Sequence, residues 1–258
     1  MSETVLACEN VTKEFGAIVA SDRVTFEIPE GHTKGLIGPN GAGKTTLLNC
    51  ISGVYDVTDG KVRFNGENVT NVSPDEMARR GLARTFQITN LFDGFSVFEN
   101  LRLAGQIASG GNFNAWNRYT AFDDPIERAS EVIDEIGLSE KADASVHDLS
   151  HGEKRQVEFG MVMVVDPNLI LLDEPSAGMA RDEIGTITDL IKDLKDEYAM
   201  ILVEHNLDMV MDLSDSIMVL DNGQLIADDR PAEIREDKRV REAYLGTEAD
   251  AAELGGSR

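Results

Sequence analysis

Hydrophobic positions along the chain fall into short continuous runs separated by helical spacings. Four apolar runs are typical of strands buried on both faces of a sheet: "HTKGLIG", "LILLD", "AMILVE" and "SIMVLD". Two segments that follow such runs have helical spacing, namely "DEIGTITDLIKDLKDE" and "LDMVMDLS". This alternation predicts a parallel sheet with helices on both faces.

Turn and cap signals divide the remaining patterns into elements. In "GKVRFNGENVT", polar and apolar residues alternate around Asn65 and Gly66, which predicts a hairpin with a tight turn. Ser73 stands in a cap position before the helical pattern "SPDEMARR". Ser96 and Glu99 have the spacing of a capping box at the start of "SVFENLRLAG".

The middle of the chain reads as mostly helical. Within it, "DPIERASEVIDEIGL" predicts an amphipathic helix capped by Asp124, whereas "SGGNFNAWNRYTAFDD" predicts an irregular, mobile loop. The last residues, 247–258, show no apolar period and predict a frayed tail. The pattern therefore indicates an α/β core interrupted by a helical insertion that forms a lobe.

Charge changes the picture of possible partners. The 258 residues include 47 acidic and 24 basic side chains, for a net charge of −23. Such a chain is not expected to bind nucleic acid, because neutralising phosphates needs clustered Lys and Arg. The acids are spread along the chain, which fits either a halophile-type surface or an ordinary acidic cytosolic protein. No secretory signal and no membrane-spanning segment are expected.

The two cysteines, Cys8 and Cys50, are too few for a disulfide framework and have no metal-ligand spacing. The chemistry of the chain must therefore lie elsewhere.

The strongest chemical motif is "GPNGAGKTT", residues 38–46, which follows a predicted buried strand. Its glycines let backbone N–H groups point at phosphate oxygens, and the helix that follows presents its positive N-terminal end to the same charge. Lys44 is expected to reach the β- and γ-phosphates, and the Thr45 hydroxyl to ligate Mg²⁺. The alternative is a glycine-rich turn between strand and helix. The predicted nucleotide contacts are Asn40, Gly41, Ala42, Gly43, Lys44, Thr45 and Thr46.

A second motif, "LILLDEP", places two acids at the carboxyl end of a buried strand, where open α/β sheets bind ligands. Asp173 is expected to hold Mg²⁺ through water, and Glu174 to orient or deprotonate an attacking water. Taken alone, the two acids also fit a solvated turn. Beside a phosphate loop, the catalytic interpretation is favoured.

A third motif, "LSHGE", combines a serine, a glycine and a helix start. Ser150 and Glu153 have capping-box spacing, and the same hydroxyl and N–H groups form an anion site. Both interpretations hold together, because a capped helix start still presents N–H groups.

The segments "GPNGAGKTT", "ARTFQ", "LSHGE", "LILLDEP" and "LVEH" occur in the order and approximate spacing of an ABC-transporter ATPase subunit. The resemblance runs from Val5 to about Gly246. It implies a P-loop NTPase core with an antiparallel β subdomain and a helical subdomain. Residues 1–246 are then a single ABC ATPase domain. Its core and β subdomain span approximately 1–96 and 161–246, and its helical subdomain approximately 97–160.

The resemblance also implies roles for individual residues. Ser150 and Gly152 look like the signature that caps the γ-phosphate held by a second subunit in a head-to-tail dimer. Gln87 looks like the Q-loop glutamine, which senses Mg²⁺ or water, and His205 like the switch histidine that contacts the γ-phosphate. Phe15 looks like the aromatic that stacks on adenine, although a lone Phe is more often a core residue.

Three positions depart from the usual form of that family. His151 replaces a glycine and Glu153 a glutamine in the signature, and Ala180 stands where the D-loop aspartate is expected. The kept serine and second glycine predict that the signature functions. Ala180 leaves open how the two sites communicate, with Arg181 or Asp182 as possible compensation.

The segments "ARTFQITNLFDGFSVFENL" and "VREAYLG" are similar to the ATPases of branched-chain amino-acid importers, of LivG type rather than the shorter LivF type. The implied cofactors are ATP and Mg²⁺. The implied partners are a second ATPase subunit, identical or LivF-like, an integral membrane permease and, indirectly, an extracytoplasmic solute-binding protein. The implied location is the cytoplasmic face of the membrane, through the permease. Leu91, Phe92 and Phe95 fit a docking groove or the core of the helical lobe equally.

Four alternatives remain open at this stage. Urea or short-chain amide importers and lipid exporters use similar ATPases. A non-transport ABC ATPase is disfavoured by the net charge, the single cassette and the absence of heptads. A catalytically inactive regulatory subunit is disfavoured by the presence of Lys44, Asp173, Glu174 and His205.

Overall fold

The fold was analysed in a computed structural model that describes residues 3–85, 91–108, 125–179, 181–195 and 197–245. The strands of these ranges are β1 (Thr4–Phe15), β2 (Ile18–Pro29), β3 (Thr33–Ile37), β4 (Asp59–Phe64), β5 (Glu67–Asn68), β6 (Leu82–Thr85), β7 (Leu169–Asp173), β8 (Ala199–Val203), β9 (Ser216–Asp221) and β10 (Gln224–Asp229). The helices are α1 (Lys44–Ile51), α2 (Pro74–Arg79), α3 (Val97–Ala108), α4 (Pro125–Glu135), α5 (His151–Met163), α6 (Arg181–Leu194), α7 (Leu207–Leu213), α8 (Pro231–Glu236) and α9 (Lys238–Leu245).

A six-stranded sheet forms the centre of the molecule, in the order β10-β9-β3-β8-β7-β6. The five strands from β9 to β6 are parallel, and β10 pairs antiparallel with β9 at one edge. The four apolar runs of the sequence are β3, β7, β8 and β9, so the predicted parallel sheet is confirmed.

Burial on both faces explains why most positions of these strands are apolar. In β7, Ile170 and Leu172 join one hydrophobic cluster, while Leu169 and Leu171 join another on the opposite face. Side chains alternate between faces along a strand, so a strand covered on both sides needs apolar residues at every position. The charged residues of this segment therefore come only at its end.

The two faces have different covers. On one face the cluster includes residues of α3, α4, α5, α6 and α7. On the other it includes α1, Met77 of α2 and the strands β1, β2 and β4. The prediction of helices on both faces is confirmed, with the addition that a second sheet supplies much of the cover on the α1 side.

That second sheet is four-stranded and antiparallel, in the order β2-β1-β4-β5. Phe64 pairs with Glu67 across the turn, and Asn65 and Gly66 have φ values of 50° and 78°. Positive φ at both central residues is the requirement of a tight hairpin turn of type I′. The hairpin predicted from Asn65-Gly66 is confirmed.

Helix starts agree with most of the predicted caps. Ser96 and Glu99 exchange hydrogen bonds of 3.1 and 2.9 Å between side chains and backbone N–H groups, which is the predicted capping box. Ser73 occupies the cap position of α2, but its side chain makes no capping hydrogen bond. Pro74 and the acids of the first turn are the remaining start signals of that helix.

Helices α3, α4 and α5 pack on one another, and their buried residues join the same cluster as one face of the central sheet. The subdomain boundaries at about 97 and 160 remain predictions. The predicted loop 109–124 with Asp124 and the tail 247–258 lie outside the described residues. Within the described ranges, no helix is long and apolar enough to cross a membrane.

The double-sided burial of the sheet gives a stability prediction. Leu202 on β8 is fully buried, so we expect Leu202→Ala to lower the free energy of unfolding by about 3 kcal/mol, from lost burial and the cavity left behind. Val54→Ala, at a site 51% exposed, is the control and should change it by less than about 0.5 kcal/mol. Urea unfolding measures both. A loss for Leu202→Ala as small as that of the control would contradict the described packing.

Candidate nucleotide site

The carboxyl ends of the parallel strands bring the predicted site residues to one edge of the central sheet. Strand β8 pairs with β3 on one side and with β7 on the other, and Asp173 lies opposite Val203. The loop after β3 begins the phosphate motif, β7 ends in Asp173, and His205 follows β8. This edge is where open α/β sheets bind ligands.

Glycine is required at two positions of the phosphate loop. Gly43, the residue before α1, has φ of 103°, and a Cβ there would lie 2.3 Å from the carbonyl oxygen of Ala20. A Cβ on Gly38 would lie 2.2 Å from the carbonyl oxygen of Leu220. The loop is thus held against β2 and β9, and a side chain at either position would push it away. Asn40, Gly41 and Thr45 are exposed, Ala42 is buried, and Gly43 and Thr46 are intermediate.

Lys44 is buried and turned toward its own loop. Its Nζ donates hydrogen bonds of 2.6 Å to the carbonyl of Gly38 and 3.1 Å to that of Pro39. Burial lowers the pKa of Lys44, and the carboxylates of Glu174 and Asp173 oppose that shift. The Lys44 ammonium is therefore bound by two backbone carbonyls and is influenced by the charge of two carboxylates at the edge of the sheet.

Asp173 is paired with an arginine that sequence reasoning did not single out. Nη2 of Arg84, on β6, lies 2.8 Å from Oδ2 of Asp173, and both side chains are largely buried. Nη1 of the same arginine donates to the side-chain oxygen of Asn49 in α1 at 2.7 Å. Arg84 thus links β7 to the helix that follows the phosphate loop. The only available signal was its position in "ARTFQ", which says nothing about its partner.

Glu174 and His205 are in direct contact. His205 Nε2 lies 3.1 Å from Glu174 Oε1, and the histidine side chain is 59% exposed. Both residues follow buried strands, so the pair of the exposed histidine and the partly buried glutamate projects from the same edge as Lys44 and Asp173. The arrangement brings a carboxylate and an imidazole, both capable of proton transfer, next to the phosphate loop.

Phe15 is exposed rather than part of the core. Its side chain is 44% exposed, and its ring packs edge-to-face on Tyr55 with centroids 5.4 Å apart. Nζ of Lys13 lies 4.8 Å from the centre of the Phe15 ring. Phe15 ends β1, and β2, which pairs with it, carries the Ala20 carbonyl against Gly43. The predicted aromatic therefore lies on the hairpin that backs the phosphate loop, with Tyr55 as an unpredicted neighbour.

The "LSHGE" segment forms the start of α5 as predicted. Ser150 Oγ accepts from the N–H of Glu153 at 3.2 Å, and the Glu153 carboxylate accepts from the N–H of Ser150 at 3.0 Å. Ser150 and His151 are exposed. The N–H of Gly152 donates to the carboxylate of Glu183 in α6 at 3.0 Å. A negatively charged group is thus bound by this helix start.

Two predicted residues lie outside the described part of the chain. These are Gln87 and the D-loop position Ala180. A few residues later in the sequence, Phe92 and Phe95 are 45% and 42% exposed, with ring centroids 5.7 Å apart, while Leu91 packs partly against the core. Of the three apolar residues left open by the sequence, the two phenylalanines are at the surface.

A glycine-rich loop between a buried parallel strand and a helix, with an aspartate at the end of a nearby strand, defines a P-loop nucleotide-binding protein. The sequence matches the family described as ABC transporter over residues 21–177. Residues 224–250 match the family described as branched-chain amino acid ATP-binding cassette transporter.

Individual relatives agree with both matches. The chain is 36% identical over 253 residues to the high-affinity branched-chain amino acid transport ATP-binding protein BraF of Pseudomonas aeruginosa, covering 95% of this chain and 99% of that one. It is 36% identical to LivG of Salmonella typhimurium with the same coverage. It is 33% identical to the probable LivG of Archaeoglobus fulgidus, covering 97% and 99%.

Solved structures agree as well. The ADP conformation of an ATP-binding cassette of an ABC transporter has a TM-score of 0.82 and 32% identity, covering 94% of this chain and 99% of that chain. A nucleotide-free ATP-binding cassette has a TM-score of 0.80 and 32% identity, covering 93% and 98%. The chain belongs to the ABC transporter family, and it is an ATPase of that family with the predicted α/β fold.

The capping box gives a prediction about pH. The hydrogen bond from Lys141 and that from the Ser150 N–H hold the pKa of Glu153 below its ordinary value of 4.5. A carboxyl whose pKa is lower in the folded state stabilises the fold above about pH 4.5, and this contribution is lost as pH falls through the lowered pKa. Glu153→Gln keeps an oxygen for the cap but loses the ion pair with Lys141.

We therefore expect Glu153→Gln to be less stable than the wild type at neutral pH by up to about 1 kcal/mol, and the difference to be smaller at about pH 3.5, below the ordinary pKa of a glutamate. Unfolding by urea at the two pH values measures the difference. A loss of stability of equal size at both pH values would contradict the lowered pKa of Glu153.

Proposed function

We propose that this chain is the ATP-hydrolysing motor subunit of an importer for branched-chain amino acids. The observation that carries the proposal is the convergence of Lys44, Asp173 and the Glu174–His205 pair on one edge of the sheet. The solute is taken from the names of the relatives and from the C-terminal match at residues 224–250. The convergence of these residues supports ATP hydrolysis, and the names of the relatives support a role in transport.

The residues around the loop suit a nucleoside triphosphate. Phe15 offers an exposed ring for stacking on adenine, and Lys44 carries a positive charge for the β- and γ-phosphates. The backbone of Asn40 to Gly43 and the start of α1 supply N–H donors. In this assignment the phosphates take the place of the Gly38 and Pro39 carbonyls as partners of Lys44. The hydroxyl of Thr46 is a further proposed contact to the nucleotide.

The residues present also fit Mg²⁺. A hard cation of this size takes oxygen ligands from one or two carboxylates, from phosphates and from water. The exposed Thr45 hydroxyl and the Asp173 carboxylate, acting through water, supply such oxygens, and Gln87 adds an amide oxygen. When bound, Mg²⁺ neutralises the charge of the β- and γ-phosphates. Arg84 keeps the Asp173 carboxylate oriented at the end of β7.

Glu174 and His205 carry the proton chemistry of hydrolysis. Glu174 accepts a hydrogen bond from the attacking water, orients it toward the γ-phosphorus and takes its proton. His205 lies 3.1 Å from that carboxylate and presents its imidazole to the γ-phosphate. The pair thus holds the water and the transferred group in line, which is most of what catalysis of phosphoryl transfer requires.

The start of α5 is proposed to bind the nucleotide of a second subunit in a head-to-tail dimer. Ser150 is exposed, and at the same helix start the Gly152 N–H already donates to the carboxylate of Glu183. A γ-phosphate presented by a partner would compete with that carboxylate for the same N–H. The partner is a second copy of this chain or a LivF-like subunit.

The transport role implies partners in the membrane. An integral membrane permease docks on the ATPase, and the exposed Phe92 and Phe95 are proposed contacts. A solute-binding protein acts indirectly, on the other side of the membrane. The chain then lies at the cytoplasmic face through the permease. Nucleic acid is not a proposed partner, because the net charge of −23 opposes it.

Among the alternatives, importers of urea or amides and lipid exporters use similar ATPases. The match of residues 224–250 to the branched-chain amino acid family favours the amino-acid solute. Proteoliposomes that hold the permease and this ATPase separate the candidates. ATP hydrolysis should rise with binding protein loaded with leucine and not with urea.

Replacing the catalytic carboxylate tests the dimer. We expect Glu174→Gln to bind ATP, lose hydrolysis by about 100-fold or more, and remain as an ATP-locked dimer because the partner's γ-phosphate stays bound at Ser150. Light scattering with ATP, at low and high potassium chloride, measures the mass, with the LivF-like subunit added in a parallel series. Lys44→Ala is the control and should stay monomeric in ATP at every salt concentration. If Glu174→Gln and Lys44→Ala had equal masses in ATP with either partner, the head-to-tail dimer would be ruled out.

A further inference from the structure

The backbone of Glu174 has an unfavourable conformation for a residue with a side chain. Its φ is 52°, in the left-handed region, which residues other than Gly, Asn and Asp rarely adopt. Such a conformation persists only where the surrounding structure fixes it, and it is found most often at functional sites. The contacts that fix Glu174 are therefore part of how the site is built.

Arg155, on α5, reaches the carbonyl groups of Glu174 and of the residue that follows it. Its Nη2 donates to the carbonyl oxygen of Glu174 at 3.1 Å, and its Nε donates to that of Pro175 at 3.0 Å. Its Nη1 is paired with Glu158 on the same helix, and both side chains are mostly buried. One guanidinium thus binds two consecutive carbonyls and is held in place by a carboxylate.

A second charged side chain, that of Glu204, also binds the backbone of this turn. The buried carboxylate of Glu204 accepts from the N–H of Ser176 at 2.6 Å and from the N–H of His205 at 3.1 Å. The N–H of Glu174 itself donates to the carbonyl of Val203 at 2.8 Å. The turn from Glu174 to Ser176 is therefore fixed to β8, and Arg155 is its connection to α5.

We propose that Arg155 is a positioning residue that fixes the Glu174 carboxylate through two main-chain carbonyls and ties it to the helix that begins at Ser150. The inference rests on the proposed function. It adds a link within one chain between its hydrolysing carboxylate and the helix start that binds the partner's nucleotide. A shift of α5 on nucleotide binding is transmitted to the Glu174 backbone through this guanidinium.

The geometry requires arginine rather than any cation. Two carbonyls and one carboxylate are bound by three different nitrogens of a planar, rigid group. A lysine keeps the charge beside Glu158 but is a point donor on a flexible stem, so it cannot span both carbonyls. Arg155→Lys therefore removes the hydrogen bonds to the two carbonyls while keeping a positive charge beside Glu158.

The experiment compares Arg155→Lys and Arg155→Gln with wild type, with Arg79→Gln as the control. Arg79 is largely exposed and pairs only with Glu76 of its own helix among the ion pairs of the described residues. We expect both Arg155 variants to lower kcat for ATP hydrolysis by about 10- to 100-fold, because small displacements of a catalytic group have effects of this size, while KM changes by less than about threefold. Arg79→Gln should match the wild type.

Hydrogen exchange gives a readout that does not depend on hydrolysis. We expect the amides of Glu174 and of residues 176–179 to exchange faster in both Arg155 variants than in the wild type, with no change in β3 or β8. A wild-type kcat and wild-type exchange in Arg155→Lys would overturn the proposal, because the ion pair with Glu158 would then suffice. Loss of nucleotide binding along with kcat in Arg155→Lys would also overturn it, in favour of a general structural role.

The two proposals fail in different ways. If the wild-type chain hydrolyses no ATP with any partner subunit, the proposed function is wrong, and the exchange measurement still decides the role of Arg155.

Discussion

A strand buried on both faces of a sheet can place a charged side chain only at its ends, unless that charge is paired within the core. This constraint organises the nucleotide site. β3, β7 and β8 are covered by helices on one side and by α1 and a second sheet on the other. Their polar groups emerge together at the carboxyl edge. The exception is Lys34, the second residue of β3, which is buried and paired with Asp228 at 2.6 Å.

The same edge concentrates charges of opposite sign at short range. Lys44 is bound by backbone carbonyls, Asp173 by Arg84, and Glu174 contacts His205. Each group has a protein partner, which offsets the cost of partial burial. In the proposed nucleotide complex, phosphate oxygens replace the Gly38 and Pro39 carbonyls as partners of Lys44, while Arg84 stays paired with Asp173. The helix start at Ser150 follows the same logic, since the Glu183 carboxylate bound to Gly152 is the group that a phosphate would replace.

Sequence reasoning found the elements whose signals are local. The double-sided strands, the Asn65-Gly66 turn, the phosphate loop and the Ser150–Glu153 box depend on residues close together in the chain, and the structure contains all of them. Contacts between distant elements could not be found in this way. No local pattern reports that Arg84 pairs with Asp173, or that Tyr55 packs on Phe15.

Arg155 shows the limit most clearly. In the sequence, Arg155 is one of several charged residues that follow the LSHGE segment, and a solvated helix face is the usual interpretation of such a residue. Its function depends on the carbonyls of a turn that follows another strand. The left-handed backbone of Glu174 could likewise not be predicted from its residue type, because glutamate rarely adopts that conformation.

The central claim is that one nucleotide is bound by the phosphate loop of one subunit and by the Ser150 helix start of another. Photolabelling with an ATP that carries a photoreactive group on its γ-phosphate tests this claim directly. The labelled protein is a mass-tagged Lys44→Ala chain, whose own phosphate loop cannot bind the nucleotide. The account predicts labelling near Ser150 of the tagged chain only when a partner with an intact phosphate loop is added, either the wild-type chain or a LivF-like subunit. Labelling near Ser150 that is confined to chains carrying their own Lys44, whatever partner is present, would contradict it.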